Sequence, residues 1–326
     1  MHDDADDQRL GFPTGRFEAV DAARGAAIVA MISYHFAWDL SYLRLIATNV
    51  AADPVWRWYA HGIAGSFLFL VGIGLVLAHG RGLRHPRFLR RLAILAGAAL
   101  AVTVGTSFAF PDSYIFFGIL HCIAASSVLA LPFVFAPAPL TVIAAAVVIA
   151  APKWAASASF DAPLLAFLGL GTGVPVTNDY VPLFPWLGLV LAGVGAARAV
   201  APRLGKRPED RWRARGLIPE TLVWAGRHSL PIYLLHQLGL LGVLTAIVSV
   251  TGPNPAAVEA GFMRDCAATC SPARDAASCR AACTCTVDAM KAEGLWARAL
   301  TDKLDPDHRA RVPALARQCF ADAPPP

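Results

Sequence analysis

Apolar positions along this chain do not alternate with polar ones; they run in blocks. Seven blocks occupy roughly residues 22–46, 56–78, 90–109, 114–135, 138–152, 182–200 and 229–250. A helix needs about 20 mostly apolar residues to cross a ~30 Å hydrocarbon core. The pattern therefore predicts an all-α, polytopic membrane helical bundle of about seven spans, the fifth of them short. An eighth apolar stretch, Leu164 to Gly171, is too short to span and is expected as a surface or re-entrant turn. Small residues recur inside the blocks, as in Gly72-Ile73-Gly74 and Gly97-Ala98-Ala99, and predict close helix approach. No internal repeat relates the two halves, which counts against the inverted-repeat architecture of many transporters.

Composition agrees with that class. Of 326 residues 56% are hydrophobic and only 16% charged, too apolar a balance for a soluble globular chain of this size. Three regions follow: an acidic flexible arm over 1–18, a bundle over 19–252 and a Cys-rich tail over 253–326 that ends in three prolines. The arm carries Asp3, Asp4, Asp6 and Asp7 and lacks the apolar core of a cleaved leader, so none is expected.

Charge sets the orientation. The segment from His79 to Arg91 holds Arg81, Arg84, Arg87, Arg90 and Arg91 with no acid. That from Arg198 to Arg227 holds Arg203, Lys206, Arg207, Arg211, Arg213 and Arg215 against Glu209, Asp210 and Glu220. The alternate loops are nearly free of cations. By the positive-inside rule the N-terminus is expected in the cytoplasm and the tail outside, in the periplasm of a bacterial inner membrane. The net charge of +5 reflects this loop bias, and no nucleic-acid partner is expected.

Six of seven cysteines lie in the tail, at Cys266, Cys270, Cys279, Cys283, Cys285 and Cys319. An even cluster of this kind fits an oxidising compartment. Two Cys-x3-Cys pairs, each one helical turn apart, suggest two short helices joined at Ser271-Pro272 and stapled by two bridges, leaving Cys285 and Cys319 for a third. A site of four thiolates around zinc is the competing reading. Cys122, inside a span, reads as a small buried residue.

Ionisable residues at membrane depth are few and carry the candidate chemistry. His35 falls near the middle of the first span, and Asp39 follows one turn later on the same face. A carboxylate that accepts one ring N–H fixes the imidazole tautomer and raises the basicity of the other nitrogen, as a general base requires. The alternative is a buried polar pair that locks helix packing. His61 and His121 lie in the outer parts of their helices and are either packing residues or substrate contacts; His236, beside Gln237, is expected to face the cytoplasmic side of a cavity. Arg24 at the inner boundary either snorkels to lipid phosphate or meets the phosphates of a cytosolic ligand together with Arg90, Arg91 and Arg227. Asp179 and Trp186, in "DYVPLFPW", form an interfacial anchor or a sugar-binding rim.

Four blocks, "AVDAARGAAIVAMISYHFAWDL", "FFGILHCIAASSVLAL", "DYVPLFPWLGLVLAGVG" and "WAGRHSLPIYLLHQ", resemble the bacterial branch of the heparan-alpha-glucosaminide N-acetyltransferase catalytic-domain family over about residues 16 to 240. The wider transmembrane acyltransferase superfamily is similar in having a first-helix Arg followed after ten residues by His, a spacing that Arg24 and His35 fit. The resemblance implies an enzyme that takes acetyl from cytosolic acetyl-CoA and delivers it to a glycan or amino-sugar acceptor at the opposite face. His35 would be base or acyl carrier and Asp39 its orienting acid. Arg24, Arg90, Arg91, Arg227 and His236 would serve the acetyl-CoA side, and His61, His121, Asp179 and Trp186 the acceptor. No metal is expected. One departure is that the animal lysosomal branch places its essential histidine in the loop after the first span, whereas here no histidine lies between Leu40 and Tyr59. The tail lies outside the resemblance.

Rival readings are a proton-coupled transporter using His35 and Asp39 as a relay, and a non-catalytic scaffold whose tail recruits a periplasmic protein. Membrane lipid is an expected partner in every reading, and pairing into a homodimer is left open.

Overall fold

The computed structural model describes residues 16–200, 212–272, 274–300 and 305–322. The acidic positions Asp3, Asp4, Asp6 and Asp7, the loop charges Arg203, Lys206, Arg207, Glu209, Asp210 and Arg211, and the terminal prolines lie outside the described residues. The described residues are mostly helical, as the block pattern predicts, with a long irregular stretch between Ala155 and Leu183 and one isolated β-bridge joining Phe117 to Tyr180.

The helices are α1 (Glu18–Tyr42), α2 (Pro54–His79), α3 (His85–Ala109), α4 (Ile119–Leu129), α5 (Leu131–Phe135), α6 (Ala138–Ala150), α7 (Pro152–Ala155), α8 (Leu183–Val200), α9 (Leu217–Arg227) and α10 (Ser229–Thr251). The tail adds α11 (Pro255–Cys270), α12 (Ala276–Ala292), α13 (Leu295–Leu300) and α14 (Pro306–Asp322). Local sequence explains several starts. Asp53 Oδ1 accepts from the N–H groups of Val55 and Trp56 while Pro54 opens α2, the preferred N-cap chemistry with proline where no N–H is missed.

Among the described residues four helices are long and apolar enough to cross a membrane: α2, α3, α8 and α10. The block at 114–135 does not form one helix. It turns helical only at Ile119 and breaks at Ala130, two residues before Pro132, because proline lacks the N–H that the helical ladder needs to continue. α4 and α6 are shorter apolar helices. The Leu164 to Gly171 stretch holds only the 3₁₀ turn Ala166–Leu168, ended by Gly169 at φ 78°. The segment between Arg198 and Arg227, expected as loop, contains α9.

The chain divides into two compact units. The first comprises Met1–Met31 and Tyr59–Leu235. Its core gathers Leu68, Leu75, Val76, Cys122, Val134, Val190, Leu191 and Val194. Glycines let its helices cross closely: a Cβ at Gly72 would overlap the Val190 carbonyl, and one at Gly193 the Phe69 carbonyl, so α2 and α8 meet backbone to backbone. α1 and α9 do the same through Gly25 on Leu222 and Gly226 on Asp21. Gly97 has open space around it and serves no crossing.

The second unit comprises Ile32–Trp58 and His236–Pro326. Its tail is an antiparallel pair, α11 and α12, stapled by Cys266–Cys283 and Cys270–Cys279, with α14 tied to α12 by Cys285–Cys319. Two bridges between the short helices and a third from Cys285 to Cys319 agree with what the Cys-x3-Cys spacing suggested, and the structure adds which cysteine of α11 meets which of α12. Val287, Met290, Leu295, Trp296 and Leu315 fill a small core, and Phe262 meets Trp296 edge to face at 5.6 Å. So modest a core needs the staples.

Candidate active site

Two clusters hold most of the candidate residues, one in each unit. In the second unit, the middle of α1 meets α10. His35 is half-buried, and its ring lies edge to face with that of His236, centroids 4.9 Å apart. Tyr34 contacts His35 from its own helix at 5.6 Å. Asp39 is fully buried, and its Oδ1 accepts a hydrogen bond from Gln237 Nε2 at 2.6 Å. Among the described residues neither Asp39 Oδ2 nor Gln237 Oε1 has a hydrogen-bond partner.

This corrects the expected pairing of Asp39 with His35: the carboxylate is held from α10 and makes no hydrogen bond to the imidazole. The i,i+4 spacing does place both on one face of α1. Gln237, however, reaches Asp39 from another helix and takes its Oδ1. His236, expected to face the cytoplasmic side of a cavity, packs its ring against that of His35 from α10. Gln237 had no role in the sequence reading; its only signal was adjacency to His236.

In the first unit, the start of α1 gathers charge. Asp21 is buried and takes Arg16 Nε at 2.6 Å, Arg24 Nη1 at 3.3 Å and Arg227 Nε at 3.5 Å. Glu18 takes Arg227 Nη2 at 3.5 Å and the Ala214 N–H at 2.8 Å. Arg227 therefore ties α9 to α1 through these two acids. Arg24 continues over Gly74, whose missing Cβ would lie 2.7 Å from Arg24 Nη2 and 4.0 Å from Arg91 Nη1. Two guanidinium groups thus converge on one glycine of α2. Arg91 also lines a groove of about 490 Å³ with Arg87, Arg90, Ser229 and the apolar Ile94, Leu95 and Leu230. Cations beside apolar surface suit a ligand with anionic and aliphatic parts. Asp21, Arg87 and Gly74 were absent from the sequence-derived site. The i,i+3 spacing of Asp21 and Arg24 was the available signal.

The remaining candidates sit elsewhere in the first unit. His121 Nδ1 accepts from the Gly118 N–H at 3.3 Å, and its Nε2 lies 3.1 Å from Thr103 Oγ1. Thr103 spends its own proton on the Ile115 carbonyl at 2.7 Å, so the consistent assignment has Nε2 donating. Asp179 Oδ2 accepts from the Ile119 N–H at 2.9 Å at the start of α4, and a Cβ at Gly118 would overlap this carboxylate. His121 and Asp179 thus build the entrance of α4. His61 meets the edge of Trp186 at 5.6 Å. Cys122 is buried, with Ser126 Oγ 3.6 Å from its sulfur.

Compared with known proteins, residues 16–238 match a family model described as "Heparan-alpha-glucosaminide N-acetyltransferase, catalytic". No curated protein and no solved structure matches the chain.

Proposed function

The chain belongs to the heparan-alpha-glucosaminide N-acetyltransferase catalytic family, and from that premise we propose that it is an integral membrane enzyme moving acetyl from acetyl-CoA to an amine or hydroxyl of a glycan or amino-sugar acceptor. The observation that carries the reading is the meeting of α1 and α10 within the matched region: His35 against His236 at 4.9 Å, and Asp39 held by Gln237 at 2.6 Å. A titratable ring and a buried carboxylate on facing helices of an apolar protein are costly to keep, and acyl transfer uses them.

In this reading the donor arrives from the cytoplasm. Arg87, Arg90 and Arg91, with Arg24 beside them, meet the phosphates. The acceptor nucleophile attacks the thioester carbonyl carbon while His35 takes its proton; the C–S bond breaks and the thiolate leaves to be protonated. Asp39, fixed by Gln237, holds α1 against α10 so that the two imidazoles keep their relation. A covalent variant passes the acetyl group first to the imidazole nitrogen and then to the acceptor. α1, α2, α3, α4 with α5, α6, α8 and α10 would make the seven crossings, in a bacterial inner membrane with the N-terminus inside and the disulfide-bonded tail in the periplasm. The arginines between α2 and α3 and the three disulfides support that orientation.

The test is transfer of labelled acetyl from acetyl-CoA in reconstituted vesicles, wild type against His35→Ala. Removing a general base costs about 10²- to 10⁴-fold in rate, so the variant should be nearly silent while still inserted. Near-native transfer by His35→Ala would refute the assignment.

A further inference from the structure

Arg44 stands where a helix ordinarily ends on glycine. The Leu45 N–H bonds the Leu40 carbonyl at 2.8 Å and the Arg44 N–H the Ser41 carbonyl at 3.2 Å, the paired bonds of a Schellman cap with Arg44 at the left-handed position. Its φ is 57°, the one positive value at a non-glycine residue among those described. An arginine in that conformation is less stable than glycine would be.

The Arg44 side chain faces the tail. Gly261 on α11 leaves the space that the Arg44 guanidinium fills, and a Cβ there would overlap it. Arg44 Nη2 lies 3.4 Å from Asp265 Oδ2. The backbone beside it is held by the same helix: the Asn254 N–H donates to the Arg44 carbonyl at 3.0 Å, Asn254 Nδ2 to the Leu45 carbonyl at 3.3 Å, and Arg264 to the Ala47 carbonyl at 2.5 Å. Asn254 also caps α11 through Ala256 and follows the end of α10 by three residues. The exit of α10 and the exit of α1 are therefore joined at one asparagine, and these helices carry Gln237 and Asp39. The capped turn reaches Asp39 itself, whose carbonyl accepts from the Leu43 N–H at 2.9 Å. The Arg44–Asp265 pair is too exposed to stabilise much, so the contact specifies position more than it adds energy.

Resting on the acetyltransferase reading, we infer that Arg44 is a positioning residue through which the disulfide-stapled tail holds the end of α1 that bears His35 and Asp39. The tail, outside the family match, is then a working part of the enzyme.

Two variants separate position from stability. Arg44→Gly suits the left-handed cap and removes the whole side chain; Gly261→Ala keeps Arg44, raises helix propensity and displaces the guanidinium. Both should melt at or above the wild-type temperature and keep the KM for acetyl-CoA while kcat falls about tenfold, and Arg44→Lys, which still reaches Asp265, should recover most of that loss. Hydrogen exchange over residues 40–47 should quicken in Arg44→Gly. Unchanged kcat in both variants overturns the proposal, as does a kcat loss that only tracks lost folded protein. Should the wild type transfer no acetyl at all, the enzymatic reading fails by itself, and exchange decides the clamp: unchanged protection over 40–47 overturns it.

Discussion

Gln237 donates to Asp39 Oδ1 at 2.6 Å, while the second oxygen of the same carboxylate is buried without a hydrogen-bond partner among the described residues. A buried acceptor deprived of its donor costs about 1–3 kcal/mol. Gln237→Leu is therefore expected to destabilise the protein by that amount and, by freeing α1 from α10, to lower kcat about 10- to 100-fold. Gln237→Asn, one methylene shorter, should fall between. Melting in detergent and steady-state transfer check both; full activity in Gln237→Leu would detach Asp39 from the chemistry.

Gly74 and Arg24 make a second pair with a readable consequence. A Cβ at 74 would stand 2.7 Å from Arg24 Nη2 and must push the guanidinium aside. An arginine side chain moves at little cost, so the fold should tolerate Gly74→Ala. The expected change is a rise in the KM for acetyl-CoA of about tenfold with kcat nearly constant, the pattern of lost uniform binding. A KM at the wild-type value would remove Arg24 from the donor site.

How much of this was legible beforehand differs by level. Helical class followed from apolar blocks, since that signal is summed over about 20 residues and survives local errors. The broken block at 114–135 was not, although Gly118 and Pro132 stood in it, because a hydropathy window averages over such breakers. That two bridges staple the short helices and a third joins Cys285 to Cys319 could be read from two Cys-x3-Cys pairs, each on one helical face; which cysteine meets which across the staple needed the antiparallel register of α11 and α12. Asp39 to Gln237 could not: spacing on α1 tells which residues share a face and nothing about what another helix brings to it. Asp21 was passed over for a related reason. A first-turn acid is ordinarily a solvated helix-dipole partner, and only packing shows it buried under three arginines.

The tail should soften in acid. The Ser278 hydroxyl, helped by the N–H groups of Ser278 and Ala277, holds the Asp275 carboxyl below its usual 3.8; the Arg311 side chain does the same for Glu293. Folded pKa values that are depressed mean that the folded form binds protons less readily than the unfolded. The stabilisation is thus complete above the ordinary carboxylate range and is lost as pH falls through the depressed values. Hydrogen exchange in Ala276–Ala292, corrected for intrinsic acid dependence, should accelerate below about pH 4. In Asp275→Asn it should be faster at neutral pH and vary less with acid; an unaltered pH profile would mean that this cap does not govern the helix.

The three disulfides should not be equal. In the chain-entropy account a bridge stabilises by restricting the unfolded chain, more for a longer loop: about 4 kcal/mol for the separation of 34 at Cys285–Cys319 against about 2.5 for the separation of 9 at Cys270–Cys279. Nesting widens the gap. With Cys266–Cys283 intact, the Cys270–Cys279 loop lies inside one already closed, so its loss frees little further entropy. Cys285–Cys319 has no such backup and is the single covalent tie between α12 and α14. Replacing Cys285 and Cys319 by serine should therefore lower the melting of the tail far more than replacing Cys270 and Cys279, and should open α14 to protease first. Equal losses from the two double variants would show that native packing around the bridges, rather than loop closure, sets their worth here.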